Sequence, residues 1–254
     1  MKQIPNLFTL LNLIFGCIAI VYTLQNGIIV FTDASGTELI DIPEKIWLAS
    51  LFIGLAAIVD FLDGFVARLF SAQSAMGEQL DSLADVVSFG VAPSMIVYQF
   101  LRLSIAQEQE GLDASFVWLV PAFFIAAAAA WRLAKFNIDK TQTHYFRGVP
   151  TPATGLMIAS LPLIYWNVNE AWVNEILLNK WVLYGFIVSV CWLMVSNLRM
   201  MAFKFRDLGV NNNLPRYLLI VIAIVAILLL KWLAVPFIFL AYVLLSLLFK
   251  NRIA

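Results

Sequence analysis

The sequence predicts an all-α polytopic membrane protein, with about eight transmembrane helices around a metal site that faces the cytoplasm. Three observations predict it. Of 254 residues, 62% are hydrophobic and 13% charged, and the mean hydropathy is +0.89. A soluble domain cannot hide that much apolar surface. The apolar residues fall into successive runs of about 20, long enough to cross a bilayer as helices. The third observation is an exception to this pattern: residues 60–85, DFLDGFVARLFSAQSAMGEQLDSLAD, set four aspartates among apolar runs.

The predicted spans are residues 7–30, 46–70, 77–103, 116–136, 152–166, 180–198, 217–230 and 232–249. Residues 1–198 read as a catalytic membrane domain with a six-helix core, and 199–254 as a C-terminal helical pair of the same domain. The first run begins at Leu7, exceeds a signal-peptide core and shows no small-residue cleavage site, so it reads as a retained helix. Pro5 reads as a stop before that helix. Asn6 and Thr9 near its start either cap it or face a ligand. The fifth and seventh spans are short. The last two divide at Lys231, with Pro236 following, as a tight hairpin or one bent helix. Cys17 and Cys191 lie inside apolar runs and read as core residues, not as a disulfide or metal site. His144 reads as solvated in a loop. A net charge of +0 offers nothing for nucleic acid.

Lysine and arginine set the orientation. With the N-terminus inside and eight crossings, both termini are cytoplasmic. Only Lys45, Arg102, Lys180 and Lys231 of the 16 basic residues then fall outside. The turn within residues 60–85 lands on the cytoplasmic face of the cell membrane, where nucleotide-activated substrates are found.

Asp60, Asp63, Gly64, Ala67 and Arg68 share one face of one helix by their spacing. Gly77, Asp81 and Asp85, at i, i+4 and i+8, share one face of the next. Two carboxylates from each helix converge, and they stay charged together only around something positive. Mg²⁺ or Mn²⁺, as a pair of divalent cations, suits this all-oxygen set. Such ions commonly clamp phosphate oxygens in phosphoryl transfer. Arg68 can pair with a phosphate bidentately, and Gly64 and Gly77 clear space for close approach to the backbone.

Asp60-x-x-Asp63-Gly64-x-x-Ala67-Arg68, eight residues, then Gly77-x-x-x-Asp81-x-x-x-Asp85 resembles the signature of the CDP-alcohol phosphatidyltransferases at every position. The resemblance implies transfer of a phosphatidyl group from CDP-diacylglycerol to an alcohol, with release of CMP. It implies Asp60, Asp63, Asp81 and Asp85 as metal ligands and Asp85 as general base, two roles that conflict in one residue. It also implies nucleotide or phosphate contacts from Asn6, Thr9, Asp60, Gly64, Arg68 and Gly77, membrane lipids as surroundings and a homodimer.

The sequences DVVSFGVAP from Asp85, RLAKFN from Arg132 and RGVPTPA from Arg147 resemble the phosphatidylserine synthase branch of that family, which implies L-serine as acceptor. Ser88, Arg132, Lys135, Asn137 and Arg147 are then candidates for holding serine or the diphosphate. Gly90 and Pro93 either open a cavity or only kink the helix. The small-residue run before Arg132 lets helices pack closely, and a buried arginine there needs an anionic partner. Glycerol-3-phosphate or inositol phosphate as acceptor, and an ether-linked lipid, stay open. An ion-coupled transporter would also carry intramembrane carboxylates, but no paired repeat appears.

Overall fold

The computed structural model describes residues 4–32, 36, 38–70, 74–108, 111–139, 145–202 and 209–250. His144 and Lys140 lie outside them. The polypeptide is a helical membrane bundle. Helix α1 (Ile4–Gln25) is followed by a hairpin of β1 (Ile29–Thr32) and β2 (Glu38–Asp41), and then by α2 (Trp47–Leu69). Helix α3 (Ala75–Asp85) continues through a π-helical turn (Val86–Val91) into α4 (Ala92–Ala106), and α5 spans Phe124–Ile138. Strand β3 (Tyr145–Arg147), α6 (Thr151–Asn167), α7 (Ala171–Leu177), α8 (Lys180–Val195) and β4 (Arg199–Met201) come next, and α9 (Val210–Leu230) and α10 (Ala234–Leu248) end the chain.

Helix α1 turns its polar side inward. Pro5, Thr9, Asn12, Gly16, Ala19, Thr23 and Asn26 recur every three or four residues and are buried, whereas Leu7, Leu11, Ile14 and Val21 are exposed. In lipid, an apolar outer face costs nothing, so the buried stripe is free to carry hydrogen-bonding and small side chains. Thr23 shows the consequence: its carbonyl accepts from Gln99 Nε2 at 3.0 Å, which ties α4 to α1. Gly16 lets α1 meet the π-helical turn, since a Cβ there would stand 2.4 Å from Ser88 Oγ.

Close approach through small residues also joins the π-helical turn to α5 and α6. A Cβ on Gly90 would lie 3.0 Å from Ala129 Cβ, and one on Gly155 would lie 3.0 Å from Phe89 Cα. Gly90 therefore serves packing and opens no cavity. The small-residue run of α5 does what its composition implies. Pro5 sits inside the first turn of α1 rather than before it, a position where its missing N–H costs no hydrogen bond. Cys17 is exposed on the lipid side of α1, because that helix buries its polar face; Cys191 is partly buried, and both are free thiols.

Five stretches of the described chain are long and apolar enough to cross a membrane. A sixth is the α7–α8 pair if, despite a 65° bend, it is one span. The eight predicted spans resolve into these, the 17-residue α6, and the return arm of a hairpin. That hairpin is α9–α10. Arg216 Nε, near the start of α9, donates to Ala202 O at 3.0 Å, and Ser246 Oγ, near the end of α10, accepts from Met201 N at 3.1 Å. Two ends bound to adjacent residues require a reversal, which falls at Lys231 with φ of 50°.

Charged and polar pairs sit at both ends of the bundle. At one end Lys180 pairs with Glu108 at 2.6 Å, and Tyr165 Oη donates to Asp41 at 2.6 Å. At the other, Arg147 pairs with Asp139 at 3.3 Å, and Lys135 Nζ donates to Asn197 at 2.7 Å. The aspartate cluster belongs to this second end.

Candidate metal and phosphate site

Helix α2 brings Asp60 and Asp63 to one face, and α3 brings Asp81 and Asp85 to meet them. Ser74 starts α3 by accepting from Gly77 N at 3.0 Å, so the helix begins at Ala75, just before the predicted start at Gly77. Carboxylate oxygens of Asp60, Asp63 and Asp81 all lie within 4.8 Å of one another. Asp63 and Asp85 are buried, and Asp60 and Asp81 partly so. Asp81 Oδ1 is buried with no hydrogen-bond partner among the described residues. Three carboxylates this close, with one buried oxygen unmet, form a donor set that fits a hard divalent cation.

Helix α1 holds the cluster from the side. Thr9 Oγ1 donates to Asp63 Oδ2 at 2.7 Å, and Asn12 Nδ2 donates to Asp85 Oδ1 at 3.3 Å. The backbone carbonyl of Asn12 accepts from Ser88 Oγ at 2.9 Å. The sequence reading missed Asn12. Its signal was present: it lies three residues after Thr9 and six after Asn6, on the stripe that α1 buries.

Two cavities meet at the cluster. The smaller, about 560 Å³, is the more polar and is lined by Asn6, Thr9, Ser74, Gly77 and Glu78 among others. The larger, about 1020 Å³, is mostly apolar and runs between α2, α6 and the α9–α10 hairpin; Arg68 and Asp85 stand at its polar end. Asp63, Gly64, Ala67 and Asp81 line both. At Gly64 an added Cβ would meet nothing within 4 Å, so the absent side chain leaves open space rather than a packing contact. The arrangement can seat a ligand that is polar and anionic at one end, apolar at the other, with its negative charge at the carboxylate cluster.

The residues proposed for the acceptor are more scattered. Arg132 is buried; one of its terminal nitrogens donates to Thr151 Oγ1 at 3.0 Å, while Nε is buried with no partner among the described residues. Lys135 turns away to Asn197. Asn137 is tied to Ser82, donating to its Oγ at 2.9 Å, and so holds α3 against α5. Arg147 pairs with Asp139. Ser88 is fully buried against α1 and lines neither cavity. The geometry brings Asn6, Thr9, Asp60, Asp63, Gly64, Arg68, Gly77, Asp81 and Asp85 to the two cavities; none of the acceptor candidates lines either, and of these Arg132 is the buried guanidinium.

Known proteins resemble this chain over most of its length. The pattern of the CDP-alcohol phosphatidyltransferases matches residues 2–192. The CDP-diacylglycerol–serine O-phosphatidyltransferase of Helicobacter pylori is 32% identical over 222 residues, covering 86% of this chain and 78% of its own. The enzyme of that name from Bacillus subtilis is 31% identical over 207 residues, covering 80% and 93%. That from Saccharomyces cerevisiae is 38% identical over 128 residues, covering 47% and 42%.

Replacing Asp81 by Asn removes one of three mutually repelling carboxylates without changing shape. The metal-free variant is expected to melt above the wild type, and to bind Mn²⁺ at least about tenfold more weakly. Titration of the free-ion EPR signal reads the affinity. An unchanged Mn²⁺ affinity would remove Asp81 from the ligand set.

Proposed function

The chain belongs to the CDP-alcohol phosphatidyltransferase family, and we propose that it transfers the phosphatidyl group of CDP-diacylglycerol to the hydroxyl of L-serine, giving phosphatidylserine and CMP. The observation that carries this reading is the carboxylate cluster set between a cavity rich in polar side chains and a mostly apolar one. CDP-diacylglycerol has the same polarity: a nucleotide at one end, acyl chains at the other, a diphosphate between. The serine enzymes that resemble this chain over most of its length support the choice of acceptor.

A pair of Mg²⁺ or Mn²⁺ ions held by Asp60, Asp63 and Asp81, with Asp85 beside them, would supply positive charge to the diphosphate and to the departing CMP. The protein's own groups do the rest. The smaller cavity takes the nucleotide, with Asn6, Thr9 and Gly77 along its wall. Gly64 leaves room where diphosphate meets backbone, and Arg68 pairs with phosphate oxygen. Asp85 lies against Asp60 and is steadied by Asn12. The family resemblance assigns Asp85 as the general base. It takes the serine hydroxyl proton as the hydroxyl oxygen bonds to the phosphatidyl phosphorus. The bond from that phosphorus to the CMP oxygen breaks, and CMP departs with the electron pair.

Purified protein given CDP-diacylglycerol, L-serine and Mn²⁺ is expected to form phosphatidylserine. Chelation with EDTA should stop the reaction, and Mg²⁺ or Mn²⁺ should restore it. Product from glycerol-3-phosphate or inositol phosphate in place of serine would move the chain to a sister activity; no lipid product from any acceptor would overturn the reading.

Serine also brings a carboxylate, which suits a buried guanidinium. Arg132 fits that role better than Lys135 or Arg147, whose charged ends meet Asn197 and Asp139. Arg132→Gln is expected to raise the serine KM roughly thirtyfold or more, the usual scale for a lost buried charge contact. Lys135→Gln should leave it near wild type. Kinetics with both substrates varied separate this from an effect on CDP-diacylglycerol, and a larger rise in the lipid KM would reassign Arg132 to the diphosphate.

The reading places the carboxylate end of the bundle in the cytoplasm of the cell membrane, and includes a homodimer. A cysteine at Asn197 in a cysteine-free background should resist impermeant thiol reagents on intact cells and react in inverted vesicles. Labelling of intact cells would invert the topology. The mass of the detergent-purified particle reads the oligomeric state.

A further inference from the structure

The α9–α10 hairpin lies beyond residue 192, where the family match ends. Its sequence shows no chemistry, yet it forms a wall of the larger cavity. Val235, Ile238, Phe239 and Tyr242 of α10 all line that cavity. They recur at i, i+3, i+4 and i+7, which is one helix face. The carboxylates Asp60, Asp63, Asp81 and Asp85 line the same cavity, so the wall is continuous with the reacting end.

The orientation of α10 is fixed at that end. Tyr242 Oη donates to Met201 O at 3.0 Å, and Ser246 Oγ accepts from Met201 N. From this anchor α10 runs away from the carboxylates toward the opposite end of the bundle. Val235 lies about 10 Å from the level of Tyr242, at 1.5 Å rise per residue. Helix α6 runs the same way along the back of the cavity, from Pro152 to Met157. It packs against both α2 and α10, while α2 and α10 touch each other little or not at all. The cavity is therefore a trough with side walls α2 and α10. It leads from the carboxylates into the depth of the bilayer.

We propose that this face of α10 gauges acyl-chain length: the chains of CDP-diacylglycerol lie along it, and the side chains at Val235, Ile238 and Phe239 set how long a chain fits. The proposal rests on the reading above that CDP-diacylglycerol is the lipid substrate. With the diphosphate at the carboxylates, the glycerol-linked chains have this trough as the apolar volume open to them. Phe239 is buried, and Val235 and Ile238 are partly buried; by the rise along α10, Val235 meets the trough about 5 Å deeper than Ile238 and Phe239.

The test measures lipid binding without any acceptor, so a wrong acceptor assignment leaves it readable. Detergent-purified wild type, Val235→Trp, Ile238→Trp and Phe239→Ala are each titrated with dioctanoyl and dioleoyl CDP-diacylglycerol by displacement of a radiolabelled one. The two tryptophan variants are expected to lose dioleoyl affinity at least about tenfold relative to dioctanoyl. Retained dioctanoyl binding shows that they fold. Phe239→Ala should shift the ratio the other way. An unchanged ratio in both tryptophan variants overturns the gauge. If they lose both lipids, Phe239→Ala decides alone, and an unchanged ratio there overturns it. A wild type that binds neither lipid overturns the substrate reading itself, and the gauge with it.

Discussion

Like charges held close together in a bilayer are the constraint on which this structure depends. Asp60, Asp63 and Asp81 share a space under 5 Å across, in surroundings that screen charge poorly. Nothing in the local chain makes that favourable. The arrangement needs two helices fixed in register, a third to hold their carboxylates in place, and positive charge from a ligand. Helix α1 is the third. Its buried stripe donates from Thr9 and Asn12 to Asp63 and Asp85, and its exposed face is plain hydrocarbon. The same helix in water would be inside out. In lipid it is the natural way to carry polar groups to a buried site.

Much of this was legible in the sequence, for a physical reason. A carboxylate in an apolar run is costly, so its spacing reports the face it must turn inward. The i, i+3 and i, i+4 intervals of Asp60, Asp63, Asp81 and Asp85 therefore located the site. Spans were legible because bilayer thickness sets their length, though α6 fell short of it. Asn12 was legible in principle, on the same stripe as Thr9, but an asparagine within a first span also reads as a helix-packing group. Cys17 misled because an apolar run was equated with a buried one, and in a membrane that equation fails.

What the sequence could not show is where helices meet. The π-helical turn after Asp85 has no pattern that marks it; the extra residue per turn emerges from packing against Asn12, Ala129 and Gly155 at once. Asn137 and Lys135 looked like acceptor contacts because they follow Arg132 on one helix. Their partners, Ser82 and Asn197, lie 55 and 62 residues away in the chain. The wall formed by α10 was invisible for the same reason. Val235, Ile238 and Phe239 are ordinary residues of a membrane helix until α6 and α2 are placed opposite them.

Glycine does two opposite things here, and the difference separates scaffold from site. At Gly16, Gly90 and Gly155 the missing side chain lets α1, the π-helical turn, α5 and α6 approach to contact distance, and a Cβ would meet a neighbour within about 3 Å. These positions fix the frame. At Gly64 the missing side chain faces empty space between the two cavities. A mid-helix glycine that packs against nothing costs helix stability of about 1 kcal/mol relative to alanine, and no contact offsets it. Gly64 is where the scaffold gives up stability in order to leave room, at the junction of the polar cavity, the apolar cavity and the carboxylates. A diphosphate joining a nucleotide to a lipid has to pass through that junction. The spacing of Asp60, Asp63 and Gly64 on one turn of α2 thus sets charge and empty space side by side.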